Sequence, residues 1–416
     1  MTLSDLSEDF SEITKCRICN SSELQIILDL GIQPLANALR EADDRSEEKK
    51  FPLVLIRCTN CTSIQLSVNV NPKLMFQDYL WVTGTTNTAR EHCVRIAREI
   101  CSLVDENPII LEIGSNDGTL LKAFREISNG ALYGVDPAME ISNSARQLGI
   151  DIRTEFFTSK FAERFRKESG RVNVVIARNV LSHVPDLMDV MKGIDDVLDQ
   201  NGIFVVEFHE ASKILSEIHY DSIYHEHTFY HSIHSMSEAQ KSVGLIPFDL
   251  LESPISGGSF ILISSRDVRP PSTSLTMAME KEELLGVQSE KAWLEFSRLA
   301  KENLTLIREF LSSNTDVKVK AFGASARSST LMNAIGLPAL LLSEIADNNS
   351  LKWGKCSPGL YRPIGSPRLV IDNSVDVVFI CPFNFEDEIV SYLKHELNWK
   401  GKVYLPLPGK PRIYTI

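Results

Sequence analysis

The chain has 416 residues, of which 43% are hydrophobic and 24% are charged, and its formal net charge is −12. This length exceeds the usual limit of a single hydrophobic core, so we expect two or three domains of an ordinary globular protein. The acidic balance disfavours a nucleic-acid binder, which needs a basic surface against phosphate. The sequence shows neither a signal peptide nor an apolar stretch long enough to cross a membrane, so we expect a cytoplasmic protein without a membrane partner.

Two Cys-x-x-Cys pairs lie near the start of the chain, Cys16 with Cys19 and Cys58 with Cys61. Two such turns can place four thiolates around one tetrahedral zinc ion. A site closed by four thiolates has no open coordination position, so we expect the zinc to be structural and residues 1–70 to fold around it. The alternatives are four unrelated buried thiols, disulfides or a redox pair. Disulfides are disfavoured because the protein shows no sign of secretion.

Residues 73–105 carry apolar side chains at helical spacing, which predicts a largely helical segment. From Pro108 onward, short apolar runs alternate with helical stretches, and one such helix is expected at 118–124. The predicted strands are 109–113, 131–136, 172–177 and 202–207. Strands that are separated by helices favour a parallel, doubly wound α/β sheet.

The turn after the first predicted strand, residues 112–118, is rich in glycine and small polar residues but lacks the Gly-x-Gly-x-x-Gly pattern. In a dinucleotide-binding fold this turn approaches a pyrophosphate. Here Glu112 and Asp117 place negative charge at the turn, which would repel phosphate and attract a sulfonium or ammonium group. These charges favour S-adenosylmethionine (SAM). The predicted cofactor-binding residues of the turn are Glu112, Gly114, Asn116 and Asp117.

Asp136 ends the next predicted strand, 22 residues after Gly114. A carboxylate at this position can accept hydrogen bonds from both hydroxyls of an adenosine ribose. Together, the acidic turn and Asp136 indicate a class I methyltransferase, with an NAD-binding Rossmann domain as the alternative. Asn179 follows the third strand and is predicted to contact the methionine end of the cofactor, whereas we interpret His183 as a structural group.

The densest cluster of titratable side chains is Tyr224-His225-Glu226-His227, which we call the reaction motif. If the motif were extended, Tyr224 and Glu226 would share one face and the two histidines the other. A histidine can act as a general base near neutral pH, and a tyrosine can hydrogen-bond a developing enolate oxygen. The alternatives are a second metal site, for which no third ligand is evident, and a structural polar cluster.

Residues 285–311 predict one long amphipathic helix that links two domains. A second α/β unit follows, with a helix at 329–334. Its predicted strands are 317–323, 341–347, 375–380 and, as the last of the chain, 402–405. The turn at 323–329 is rich in glycine and serine and precedes a helix, which makes it a natural anion site. The alternative is a purely structural, Rossmann-like remnant.

Taken in order along the whole chain, these motifs resemble the sugar C-methyltransferases that act on nucleotide-linked 4-keto-6-deoxyhexoses. The matching segments are the two cysteine pairs and residues 30–37, 112–118, 177–180, 224–227, 257–259, 322–324 and 358–359. The resemblance implies an N-terminal four-cysteine zinc-binding module (1–70), a central class I SAM-methyltransferase Rossmann-like domain (71–284) and a C-terminal Rossmann-like α/β domain (285–416).

The resemblance also implies the chemistry. A base removes the hydrogen on C-3 of the sugar, next to the ketone, and the resulting enolate attacks the cofactor methyl. By resemblance, His225 is the base, and Tyr224 and Glu226 position the sugar and stabilise the enolate. Arg327 is expected near the substrate's pyrophosphate, and the zinc-binding module and the loop after it are expected to carry substrate-facing groups, including Tyr79 and Trp81.

Three positions depart from the family pattern: Trp81 stands where a tyrosine is usual, Ser256 where a histidine is common, and Arg327 where a lysine is common. These departures bear on which sugar is methylated. A methyltransferase of the same architecture that acts on oxygen, nitrogen or a non-sugar carbon acid is the alternative enzyme. A nucleic-acid-binding or scaffold protein with a relic methyltransferase fold is the alternative of another class. We expect a monomer, because three domains can bury their own apolar faces.

Overall fold

The computed structural model describes residues 9–76, 84, 87–147, 149–253 and 258–416. This part of the chain contains three larger sheets and two short strand pairs. The larger sheets have four, seven and six strands. The predicted α/β class, with a cysteine-rich unit at the N-terminus, is confirmed.

The four-stranded sheet is antiparallel and belongs mainly to the cysteine-rich unit. Its strands lie in the order Phe229–Tyr230, Ile64–Leu66, Lys50–Cys58 and Leu24–Pro34. The first of these strands comes from a distant part of the chain, directly after the reaction motif. A short pair, Phe10–Glu12 with Val68–Val70, lies beside this sheet, and the helix Pro72–Phe76 follows.

Six strands of the seven-stranded sheet run in the same direction, and Ser259–Ser265, inserted next to the edge strand, runs antiparallel to them. Its order is Ile246–Ser253, Ser259–Ser265, Leu198–His209, Val172–Arg178, Ile110–Ile113, Leu132–Val135 and Asp151–Arg153. Its helices are Asn87–Cys101, Thr119–Arg125, Met139–Gln147, Ser159–Ser169, Leu187–Val197, Ala211–Glu217, Ile233–Lys241 and Thr273–Leu285. The four strands predicted between 109 and 207 are therefore confirmed.

Side chains of the central strand Val172–Arg178 show why this sheet is buried on both faces. Val175 and Ala177 belong to one apolar cluster, and Val174 and Ile176 belong to another on the opposite face. This alternation follows from the two-residue period of a strand, and burial on both faces is typical of parallel sheets that are covered by helices.

The direction of chain progression through the sheet reverses between Ile110–Ile113 and Val172–Arg178. In open α/β sheets a crevice forms at such a reversal, outside the carboxyl ends of the strands, and ligands bind there. The turns that follow these two strands contain Gly114 and Asn179. The fold thus brings two of the predicted cofactor-binding segments to one edge.

The C-terminal sheet is parallel except for its last strand. Its order is Ile364–Gly365, Ile345–Ala346, Val319–Phe322, Val377–Ile380, Lys402–Leu405 and Arg412–Thr415. Its helices are Ala326–Ile335, Pro367–Val370 and Glu386–His395. The prediction that 402–405 is the final strand is wrong, because Arg412–Thr415 returns antiparallel to it. The strand expected at 341–347 shortens to Ile345–Ala346, since Leu337–Leu341, with Pro338 in its first turn, forms a 3-10 helix instead.

The single long helix expected at 285–311 is present as Glu290–Ser313, and only its predicted start is wrong. The helix Thr273–Leu285 ends at Gly286, whose φ of 68° is left-handed, and a separate helix spans Glu290–Ser313. Glycine ends helices in this way because it adopts positive φ without a steric cost from a Cβ atom. The apolar face of the second helix, including Trp293 and Ile307, is buried in the core shared with the C-terminal sheet.

A second short strand pair joins the cysteine-rich unit to the C-terminal sheet's unit: Arg40–Glu41 lies antiparallel to Lys355–Cys356. Among the described residues, none of the helices combines the length and the hydropathy that a membrane-spanning helix needs.

Candidate active site and metal centre

The four predicted metal ligands converge. The Sγ atoms of Cys16, Cys19, Cys58 and Cys61 all lie within 4.8 Å of one another. Cys16 and Cys61 are 3.5 Å apart at sulfur, as are Cys19 and Cys58. Zinc–thiolate bonds of about 2.3 Å in a tetrahedron place sulfurs about 3.8 Å apart, so the cluster fits a zinc ion. The side-chain amide of Gln65 donates to Cys16 Sγ (3.2 Å), a contact that stabilises a thiolate.

The crevice at the sheet reversal is shaped by two close turns. Gly114 has φ 68°, and a Cβ atom there would lie 2.9 Å from the side chain of Val180. Asn116 and Asn179 have φ of 50° and 52°, a left-handed backbone that asparagine tolerates better than most residues. These residue types allow the two turns to approach each other closely at the carboxyl edge of the sheet.

Asp136 holds the cofactor turn in place from the neighbouring strand. Its Oδ2 accepts from the backbone N–H of Asn116 (2.9 Å), and its Oδ1 accepts from that of Ala138 (2.8 Å). Burial raises the pKa of this carboxyl group, and the two backbone donors oppose that rise. A carboxylate has further lone pairs beyond these two bonds, so Asp136 retains acceptor capacity for ribose hydroxyls.

Glu112 lies at the end of its strand and is only 3% exposed. Its Oε2 atom has no hydrogen-bond partner among the described residues. Burial raises the pKa of Glu112 to about 8, and the nearby cation of Arg178 opposes that rise. A buried acceptor without a partner, in an acidic turn, fits the cationic groups of SAM, and the residues present therefore fit this cofactor.

A buried polar network beneath this turn was not found from the sequence. The guanidinium of Arg178 donates to Glu207 Oε2 (2.7 Å), and Glu207 Oε1 lies 3.0 Å from His92 Nε2. Arg178 and Glu207 each lie near the end of a predicted strand, and this position in the sequence could have indicated that they meet. His92 comes from the helix Asn87–Cys101, so nothing in the local sequence relates it to them.

Asp117 connects the cofactor turn to the segment before the first central helix. Its carboxylate accepts from the backbone N–H of Gly84 (2.9 Å) and from the hydroxyl of Thr119 (2.8 Å). The predicted substrate-binding residues Tyr79 and Trp81 lie outside the described residues, as does Ser256.

The reaction motif is a turn and not an extended strand. The backbone N–H of His227 donates to the carbonyl of Tyr224 (2.9 Å). As a result Tyr224 and His227 share one side: Tyr224 Oη lies 2.9 Å from His227 Nε2, and both side chains are partly exposed. The facing given for an extended segment therefore does not apply, because a turn brings together residues three positions apart.

His225 and Glu226 point into the protein. His225 is 2% exposed, and its ring packs edge-on against Phe51. Its Nε2 atom contacts the carbonyl of Pro52 (3.2 Å), whereas its Nδ1 atom has no partner among the described residues. Burial lowers the pKa of His225 to about 4. The Glu226 carboxylate is 4% exposed, and burial raises its pKa to about 7.

His183 ties the reaction motif to the cofactor crevice. Its Nδ1 lies 2.7 Å from the backbone carbonyl of Glu226, and its ring centroid is 4.8 Å from that of His227. The hydroxyl of Thr228 donates to the carbonyls of Ser182 and Val184. The motif thus packs against the loop that begins at Asn179. In the described part of the chain this histidine-rich region forms no group of three potential metal ligands.

Arg327 faces the same region from the C-terminal unit. Its Nε and Nη2 atoms donate to the two carboxylate oxygens of Asp221 (2.8 and 2.9 Å), and its guanidinium lies over the ring of Phe383. Burial, followed by the charges of His183, His209 and Arg327, lowers the pKa of His227 well below its usual range. Asp221 precedes Tyr224 by three positions, so this ion pair places Arg327 next to the reaction motif.

Some groups of the glycine-rich turn at 323–329 that could bind an anion form hydrogen bonds within the protein instead. The backbone N–H of Ala324 donates to Asp347 Oδ2 (2.7 Å), and Ser325 caps the following helix with its hydroxyl. Asp347 also accepts from the N–H of Asn349 (2.8 Å), the same pair of contacts that Asp136 makes. The two α/β units therefore share one way of holding a glycine turn.

Three family profiles match the chain in succession: a zinc binding domain at residues 16–76, a methyltransferase domain at 89–246 and a C-methyltransferase C-terminal domain at 254–408. The C-methyltransferase NovU of Streptomyces niveus is 29% identical over 414 residues, which cover 97% of each chain.

Two solved structures are similar over less than half of the chain. The SAM-bound magnesium protoporphyrin IX methyltransferase (ChlM) of Synechocystis PCC 6803 is 15% identical over 46% of this chain and 87% of its own, with a TM-score of 0.33. The 1,6-didemethyltoxoflavin-N1-methyltransferase of Burkholderia thailandensis is 15% identical over 41% and 77%, with a TM-score of 0.32. The full-length relative is the more informative comparison.

Proposed function

Since the chain belongs to the C-methyltransferases that carry an N-terminal zinc-binding domain, we propose that it methylates C-3, next to the ketone, of a nucleotide-linked 4-keto-6-deoxy sugar. The observation that carries this proposal is the position of the reaction motif. Through His183, the motif packs against the loop of Asn179, beside an acidic crevice that fits SAM.

When bound, SAM supplies an electrophilic methyl group. The protein's part is to remove the C-3 proton, to stabilise the enolate oxygen that forms, and to hold the enolate carbon in line with the methyl group. Tyr224 is placed to donate its hydroxyl to the enolate oxygen, since its side chain is partly exposed and its Oη already contacts His227.

Two histidines of the motif are candidates for the base. His225 is the base that the family resemblance implies, and its free Nδ1 could accept a proton. However, the ring of His225 is enclosed by Phe51 and Pro52, whereas His227 is partly exposed beside Tyr224 and His183. A base must reach the proton that it removes, so the geometry favours His227.

The rest of the proposal assigns roles to the three units and to the residues that would contact the substrate. Residues 1–70, 71–284 and 285–416 are proposed as the zinc-binding, SAM-binding and substrate-binding units of a monomer. Arg327 uses Nε and Nη2 for Asp221, so its Nη1 would be the atom that contacts a substrate phosphate. Tyr79 and Trp81 are proposed to line the sugar site.

Exchange of the C-3 hydrogen with solvent distinguishes His225 from His227 as the base. Candidate nucleotide-linked ketosugars would be incubated in deuterated buffer with the enzyme and S-adenosylhomocysteine, and deuterium at C-3 would be followed by NMR. We expect His227→Asn to lose both exchange and methyl transfer by at least about 100-fold, the usual contribution of a general base, while it still binds SAM.

The matched variant His225→Asn is expected to retain most of the exchange. The reverse result would assign the base to His225. Methyl transfer to oxygen or nitrogen without any exchange at C-3 would instead support the alternative methyltransferase and refute C-methylation.

A further inference from the structure

A loop of the zinc-binding unit reaches the reaction motif. After the strand Leu24–Pro34 the chain leaves its sheet, and the side-chain amide of Asn37 contacts both carboxylate oxygens of Glu226. The distances from Asn37 Nδ2 are 2.8 Å to Oε1 and 2.7 Å to Oε2. The residues are far apart along the chain, so this contact exists only because the units are docked.

The loop is held on both sides of Asn37. Leu35 and Ala36 are buried just before it, and Arg40–Glu41 pairs with Lys355–Cys356 just after it. Further along, the carboxylate of Glu48 accepts from the backbone N–H of Gly359. Anchors on both sides restrict the freedom of the loop, so the amide of Asn37 is presented to Glu226 in one place.

The hydrogen bonds from Asn37 favour the ionised form of the Glu226 carboxylate. Its side chain is buried, which disfavours the ionised form, and the contacts that oppose this effect come from Asn37. Among the described residues, the titratable groups on the elements packed around it are His183, from the loop after Val172–Arg178, and Tyr224, His225 and His227 of its own turn. Asn37's loop presents the uncharged amide.

The reaction motif has a second connection to the zinc-binding unit. Directly after the motif, Phe229–Tyr230 forms the edge strand of the four-stranded sheet, opposite Gln65 and Ile64. The backbone N–H of Leu66 also donates to the carbonyl of Thr228 (3.0 Å). The sheet therefore fixes the backbone of the motif, and Asn37 binds the carboxylate of Glu226.

We propose that Asn37 is a positioning residue of the active site, which holds the Glu226 carboxylate as an ionised hydrogen-bond acceptor for a hydroxyl group of the sugar. The proposal rests on the proposed function for the identity of the substrate, but the contact itself does not depend on it. Asn37 is exposed whereas Glu226 is buried, so Asn37 forms the outer side of the pair and a sugar hydroxyl would reach the carboxylate beside its amide. The zinc-binding unit would then contribute a side chain to substrate recognition as well as support.

The test uses the isosteric variant Asn37→Asp in the full-length zinc-loaded protein. Two carboxylates this close cannot both ionise, so the pair would share a proton. The protein would be labelled with ¹³C at the glutamate carboxyl carbons, and the Glu226 signal would be assigned from its loss in Glu226→Gln. We expect the titration midpoint of Glu226 to rise by more than one pH unit in Asn37→Asp.

Glu48→Gln is the matched control, because Glu48 also joins the zinc-binding unit to its neighbour but does not touch Glu226. We expect its Glu226 midpoint to equal that of the wild type. An unchanged midpoint in Asn37→Asp, with zinc content and unfolding temperature as in the wild type, would overturn the proposal. An equal rise in Glu48→Gln would also overturn it, because docking alone would then explain the effect.

Once a substrate is known, measurements of activity provide a second test of the role of Asn37. The acidic limb of the profile of kcat/KM against pH should move upward in Asn37→Asp, and KM should rise more than kcat falls. The NMR titration needs no substrate, so it decides the role of Asn37 even if the substrate is not a ketosugar. A shifted titration without turnover on ketosugars would refute the proposed substrate and leave the role of Asn37 supported.

Discussion

At the scale of single residues, Asp136 and Asp347 are a natural pair for comparison. Each carboxylate accepts from the backbone of a glycine-rich turn and from the residue two positions after itself. Only Asp136, however, lies in the unit whose turn carries Glu112 and Asp117. The backbone hydrogen bonds are the same, but Asp347 also accepts from the ammonium of Lys352 (3.3 Å). The two residues therefore differ in their charged neighbours and in the ligand that the adjoining turn can attract.

We predict that Asp136→Ala weakens SAM binding at least about tenfold, which corresponds to about 1.4 kcal/mol. The variant removes both the proposed acceptor for the ribose hydroxyls and the support for the cofactor turn at Asn116. Isothermal titration calorimetry with SAM would measure the change. Asp347→Ala is the control and should leave SAM affinity within error, since it removes the same two backbone contacts in the other unit. Unchanged affinity in Asp136→Ala would contradict the assignment.

At the scale of elements, the strand Phe229–Tyr230 connects the zinc site to the reaction motif. A metal site without an open coordination position can thus affect the reaction motif without contacting the substrate. The zinc ligands Cys58 and Cys61 stand at the end of Lys50–Cys58 and just before Ile64–Leu66. Ile64–Leu66 in turn pairs with Phe229–Tyr230. Metal binding stabilises small folds because the unfolded chain has no preformed site, so the order of these strands should depend on the metal.

We predict that removal of zinc with a chelator increases amide hydrogen exchange at residues 224–230. The increase should be at least tenfold, while Val377–Ile380 of the C-terminal sheet remains protected. Hydrogen exchange read by mass spectrometry would show both segments in one experiment, and the second segment is the internal control. Protection that persists at 224–230 after complete loss of zinc would show that the reaction motif is held without the metal.

At the scale of the whole molecule, the units share one apolar cluster, to which Leu55, Tyr220 and Trp293 belong. Polar contacts between residues that are distant along the chain also join them. The ion pair of Arg327 and Asp221 is the most enclosed of those at the reaction motif, because the Asp221 side chain is only 1% exposed. Removing one partner of a buried pair leaves the other charge without compensation, which costs more than the pair itself contributes.

We therefore predict that Arg327→Met lowers the free energy of unfolding by about 3 kcal/mol, and that the double variant with Asp221→Asn recovers part of this loss. Denaturant unfolding would measure both. The exposed pair of Arg298 and Glu295 is the control: Arg298→Met should change stability by less than about 1 kcal/mol, as is usual for surface ion pairs. A small effect of Arg327→Met would indicate that water reaches Asp221.

Features that depend on short spacings follow from the amino-acid sequence alone. The two cysteine pairs, the strand ends at Glu112 and Asp136, and the alternation of strands with helices each involve residues close along the chain. Local geometry constrains such patterns strongly, because a turn or a strand places its own neighbours. The α/β class, the zinc site and the methyltransferase unit could be predicted on this basis.

Which distant residues meet depends on how the folded units pack against one another. The contact of Asn37 with Glu226 and the pairing of Phe229–Tyr230 with Ile64–Leu66 join segments that no local pattern relates. The same holds for the turn of the reaction motif, which exposes His227 rather than His225 because the buried pair packs against Phe51 and Asn37. Packing against a partner sets these side-chain directions, and a spacing rule read along one segment does not contain that partner.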